Sequence, residues 1–74
     1  MALAWKVKEF LEIHGISAYR LMKEAAIAQG TAYRLANNQA GGLSLETLDA
    51  VIEGLRRLTG KRVLLADLLE YREK

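Results

Sequence analysis

Between Leu45 and Leu58 the apolar residues Leu45, Leu48, Val51, Ile52, Leu55 and Leu58 recur at three- and four-residue steps, a stripe that a helix gathers on one side. Ser44 stands where that helix needs an N-cap, Thr47 where a capping box would place Glu, and Gly60 stops the run. The rest of the chain follows the same rule. It has no proline and few β-branched runs, so its breaks fall at glycines and capping residues. Leu3, Val7, Phe10, Leu11 and His14 predict a first helix closed by Gly15. Ser17 caps a second, with Leu21, Met22 and Ala25 inward, and Ala26-Ile27-Ala28 turns the chain. A third runs from Gln29 to Asn37 with Ala32, Leu35 and Ala36 inward, and Asn38-Gln39-Ala40-Gly41-Gly42 breaks it. A last helix is expected over about Leu65 to Arg72. The fold class is therefore all-α, a compact five-helix single domain over residues 1–74.

A chain of 74 residues, 51% of them hydrophobic, is near the lower limit for a self-sufficient core, so regular helices or a partner chain must help to hold it. Cysteine is absent, which rules out a disulfide, and one histidine without cysteine offers no structural zinc site. No metal or cofactor is expected. No apolar run approaches the ~20 residues of a membrane span, and Met1 to Trp5 lack a signal-peptide pattern, so the expectation is a soluble cytoplasmic protein.

A net charge of +2 decides little, but its distribution is informative: no Asp or Glu occurs from Ala25 to Leu45. That stretch carries Gln29, Thr31, Tyr33, Arg34, Asn37 and Asn38. Amide, hydroxyl and guanidinium groups without carboxylates can approach a phosphate backbone free of like-charge repulsion, and amide and guanidinium groups can read base edges. The competing explanation is an ordinary solvated face. Such faces usually carry Glu and Lys at paired spacing, as Lys8 with Glu12 or Lys6 with Glu9 do, and the third helix has neither. His14 reads as a helix C-terminal residue near the final carbonyls. No nucleophile stands with a base and no carboxylate pair suggests a cleft, so an enzyme is not expected.

Two short helices meeting at a tight break, the second rich in base-reading side chains, resemble a helix-turn-helix at about residues 18–37. Residues 7–71 are similar to the lambda-repressor-like, Cro/XRE family, with Gly15-Ile16-Ser17 opening the motif and Ser44 to Glu70 as its closing helices. The resemblance implies a sequence-specific regulator of transcription that binds double-stranded DNA, by family default a repressor. It implies that Gln29, Gly30, Thr31, Tyr33 and Arg34 read bases, Gln29 suiting adenine and Arg34 guanine, with Gly30 contributing closeness. Ser17, Tyr19, Asn37, Asn38 and Gln39, with backbone amides near Ala18 and Asn38, would hold phosphates.

The chain also departs from the family pattern. Ala26 stands where relatives have Gly, which requires a backbone outside the strained positive-φ region. Met22 replaces a small Ala. Leu11 and Ala36 stand where many relatives carry a linking Arg–Glu pair, and an apolar contact can replace such a pair without loss.

Arg56, Arg57, Lys61 and Arg62 lie at the end of the fourth helix, where the dipole and solvation account for them. Leu64, with Tyr71 and Trp5, is expected to form an exposed apolar patch suited to a homodimer or another protein. The alternatives are an antitoxin that binds operator DNA and a toxin, and a helical protein-interaction module without DNA binding. With no ligand domain in view, regulation would come from concentration, proteolysis or a partner.

Overall fold

The computed structural model describes residues 2–72. Strand β1 (Ala2–Trp5) is followed by α1 (Val7–His14), α2 (Ala18–Ala25), α3 (Gln29–Ala36) and α4 (Leu45–Thr59), then a single 3-10 turn at Leu65–Asp67 and strand β2 (Leu69–Arg72). Among the described residues there are four α-helices and a two-stranded antiparallel sheet, where five helices were expected. The fifth helix is replaced by the 3-10 turn and β2. Asp67 accepts the Leu64 N–H at 2.8 Å and tightens the turn, Leu68 is driven fully into the core, and residues 69–72 pair with the N-terminus. Leu3, placed by spacing on the first helix, belongs to β1, and α1 begins only at Val7.

The local signals that end and start the helices behave as their chemistry requires. Gly15 and Gly60 take left-handed φ values of +64° and +68°, and the Gly60 N–H closes onto Arg56 O at 2.8 Å. Ser17 Oγ accepts the Arg20 N–H and Ser44 Oγ accepts the Thr47 N–H, each at 3.1 Å. Ala26 departs from the expectation. It sits at φ +55°, ψ +44°, in the left-handed region where a Cβ costs about 1–2 kcal/mol.

The core joins Val7, Leu11, Ile16, Leu21, Ala25, Leu35, Val51, Leu55, Val63 and Leu68. The α4 stripe enters it from Val51 onward, with Ile52 and Leu58 packed against it; Leu48 is half-buried, and Leu45, the residue next to the cap, is 83% exposed, against expectation. Gly54 is buried in α4 against α2: a Cβ there would lie 3.2 Å from the Cα, Cβ and N of Ala25. The two helices therefore meet backbone to backbone at this point, and the leucine stripe alone gives no hint of it.

Of the four basic residues Arg56, Arg57, Lys61 and Arg62, two are struts. Arg56 donates from Nε and Nη2 to Val63 O at 3.1 and 3.0 Å, which fixes the chain leaving α4. Arg57 pairs with Glu24 at 2.7 Å and also donates to the Glu24 carbonyl at 2.8 Å, clamping the end of α2 beside the strained Ala26. The pair is partly exposed, so its charge contributes at most about 1 kcal/mol.

Candidate nucleic-acid interface

α2 and α3 are each eight residues long and are separated by Ala26-Ile27-Ala28, the short-helix, tight-turn, short-helix geometry of a helix-turn-helix. Ala32 and Leu35 are fully buried and anchor α3, and Ile27 packs against the core from the turn. With those residues inward, helical period turns Gln29, Gly30, Tyr33 and Arg34 outward. All four are exposed, and Thr31 is half-buried.

The start of α3 is open. Its N-cap is Ala28, which has no side chain to fold back, and its first turn holds no acid. The N–H groups of Gln29, Gly30 and Thr31 therefore lack intrahelical acceptors and leave partial positive charge at the surface. Gly30 has an ordinary negative φ, and a Cβ built there meets nothing within 4 Å. Neither backbone geometry nor internal packing calls for glycine at this position. Arg34 Nε donates to Gly30 O at 3.3 Å, so the guanidinium lies back toward the helix start, and its two Nη groups have no partner among the described residues.

The expected phosphate-holding residues divide into two groups. Ser17 and Tyr19 are exposed at the start of α2, where the first-turn amides of Ala18 and Tyr19 also lack intrahelical acceptors. Gln39 is exposed, and Asn37 donates its Nδ2 to Tyr33 O at 2.9 Å, which leaves its Oδ1 outward. Asn38 is engaged inside the fold: Oδ1 accepts the Lys8 N–H and Nδ2 donates to Glu9 Oε1, both at 2.9 Å. Its φ of +57° suits Asn better than most residues. The N-cap of α1, Lys6, supplies no capping side chain, and Asn38 supplies one from 30 residues away. The backbone amides of Asn37, Asn38 and Gln39 likewise bond to carbonyls of Tyr33, Arg34 and Leu35, so the amides near Asn38 close α3 and do not stand open for a phosphate.

A cleft of about 450 Å³ runs between α1, the start of α2 and the end of α3, lined by Lys8, Leu11, Glu12, Ser17, Ala36 and Asn37, among others. Leu11 belongs to the core and Ala36 packs against that core, and both line the cleft. Lys8 stands one helical turn from Glu12 but makes no ion pair with it. Lys8 and Glu12 both line the cleft, beside Ser17 and Ala18 at the start of α2. Lys23 lies over the Tyr19 ring, 5.6 Å from its centroid, and adds a cation to the outer face of α2. Neither lysine stood out in the sequence, because i,i+4 spacing suggested neutralisation for Lys8 and nothing local marked Lys23.

On the far side, Leu64 and Tyr71 are exposed, but Trp5 is not part of a free patch. It is half-buried, packs against the core and donates Nε1–H to Ala40 O at 2.8 Å, tying β1 to the loop after α3. His14 ends α1 and packs its ring on Phe10, centroids 4.3 Å apart. No described helix is long and apolar enough to cross a membrane.

No curated protein and no solved structure matches the chain. A family model does, over residues 6–60, a span that takes in α1 to α4 and every residue of the open α3 face. The geometry and this match agree: the chain belongs to the Cro/C1-type helix-turn-helix DNA-binding domain family.

Proposed function

We propose that this protein is a sequence-specific regulator of transcription, acting as a repressor in the cytoplasm, that inserts α3 into the major groove of double-stranded DNA. The observation that carries the reading is the α3 face. It combines an acid-free surface, an uncapped helix start and a glycine that nothing inside the protein requires. Each of these is a cost to an isolated helix and a benefit to one that meets a polyanion at close range.

In this reading Gln29 and Arg34 carry base discrimination of roughly 1–3 kcal/mol each, Gln29 toward adenine and Arg34 toward guanine. Thr31 and Tyr33 flank them, and Gly30 lets the α3 backbone approach the base edges. Ser17, Tyr19, Asn37 and Gln39 hold phosphates from the two ends of the motif, joined by Lys8 from the cleft. Asn38 serves indirectly, by holding the loop after α3 against α1.

Selection of bound sites from random duplexes tests the proposal. A defined site should emerge, with log Kobs falling by about 0.9 per phosphate neutralised as log salt rises. Binding no tighter than about 1 mM at low salt, without a salt slope, would leave a helical protein-interaction module as the function.

A further inference from the structure

Gln39, one of the residues proposed to hold phosphate, stands exposed between two neighbours that are fastened to the fold. On one side Asn38 is bound to α1, through the Lys8 N–H and Glu9 Oε1. On the other side Ala40 O accepts the Trp5 Nε1–H at 2.8 Å. The Gln39 N–H is itself fixed on Arg34 O at 2.7 Å, whereas its side-chain amide has no hydrogen bond among the described residues. Past Ala40 the chain is loosely determined. Gly41 and Gly42 are exposed, a Cβ at either would meet nothing within 4 Å, and the next contact with the core comes at Leu43. Ala40 brings only a methyl group to that core. The indole hydrogen bond is therefore the directional restraint on this side of Gln39.

The donor is firmly placed. Trp5 pairs with Leu69 in the ladder, Lys6 beside it donates its N–H to Leu68 O at 2.7 Å, and the half-buried indole packs against the core. Trp5 also precedes residues 6–60, the span of the family match. We propose that Trp5 is a positioning residue for DNA binding: by holding Ala40 it fixes the backbone from which Gln39 meets a phosphate. The inference rests on the groove-reading proposal and adds to it a contribution from outside the helix-turn-helix. A hydrogen bond from a neutral amide is short and directional, so it depends on where the loop backbone stands. A loop ordered in the free protein also spares the cost of ordering it on the duplex. Phosphate contacts carry no sequence information, so this restraint strengthens binding to every duplex alike.

A double-mutant cycle on duplex affinity, measured with full-length chains, tests this. The 74-residue chain is within reach of chemical synthesis with benzothienylalanine at position 5, which keeps the size of the indole and sets sulfur in place of its N–H. Affinity should fall about threefold to tenfold on selected and unrelated duplexes alike, with unchanged circular dichroism. Gln39→Ala should cost a similar factor, and in that background the replacement at position 5 should change affinity by less than about twofold. In an Arg34→Ala background it should keep its full effect, whereas a general weakening of the fold would act equally in both backgrounds. Losses that add with Gln39→Ala, a Gln39→Ala chain that binds as tightly as the parent, or a replacement without effect would each overturn the proposal and leave groove reading by α3 standing. A parent chain that selects no duplex site would overturn both. Should the synthetic chain not fold, Trp5→Phe takes its place in the cycle.

Discussion

Two glycines stand inside helices of this protein, and they are there for opposite reasons. Gly54 is buried where α4 crosses α2, and a Cβ would press on the backbone of Ala25 from 3.2 Å. Gly30 is exposed in the first turn of α3, and a Cβ would touch nothing. A helical glycine costs about 0.5–1 kcal/mol relative to alanine, so each needs a compensating gain. For Gly54 the gain is within the fold, in the close approach of two helices. For Gly30 no such gain exists inside the chain, which directs attention outward to a ligand that comes close to the backbone. The contrast separates a residue that the fold requires from one that it does not, and the second is the one proposed to meet DNA.

The contrast can be broken or sharpened by substitution. Gly54→Val should have the largest effect, a loss of about 3 kcal/mol or more in urea unfolding, because Ala25 offers backbone and not a flexible side chain to the added methyls. A loss below about 1 kcal/mol would mean that α2 and α4 can separate freely. Arg34→Ala should leave unfolding unchanged while lowering affinity for the preferred site by roughly 1–3 kcal/mol and flattening preference at one base pair. Uniform weakening on all sequences would make Arg34 a phosphate contact.

Asn38→Gly keeps the left-handed backbone but removes the cap from α1. About 1 kcal/mol of stability should go with it, and binding should weaken alike on every sequence. The smallest effect is expected at Ala26. Replacing it by Gly should raise stability by about 0.5–1 kcal/mol and leave base preference intact, since the strain at φ +55° lies in the turn and not on the reading face.

What could be read from the sequence was whatever depends on near neighbours. Ser17 and Ser44 cap, Gly15 and Gly60 close, and Ala32 with Leu35 goes inward, because capping and helical period act within a few residues. Three features that were not legible involve distant partners. Residues 69–72 have an apolar spacing that suits either a helix or a strand, and only the presence of residues 2–5 alongside makes them β2. Asn38 looks like a surface turn residue until α1, 30 positions away, is seen to need a cap. Gly54 looks like a flaw in a leucine stripe until Ala25 is placed against it. The family and the open α3 face were legible together, since the same acid-free residues that form the motif also form the candidate site. The division of labour after Asn37 was not, because residue type alone cannot tell a free amide from one that braces the fold.

The central claim is that α3 is shaped for something outside the protein, and Gly30→Ala tests it most directly. Thermal unfolding and affinity for a selected duplex are to be measured on the same preparation. The account predicts opposite signs: unfolding becomes harder by up to about 1 kcal/mol, from better helix propensity, while DNA affinity falls. A variant that gains stability and binds DNA as tightly as the parent would contradict it, for then the missing side chain at position 30 would serve neither the fold nor the groove.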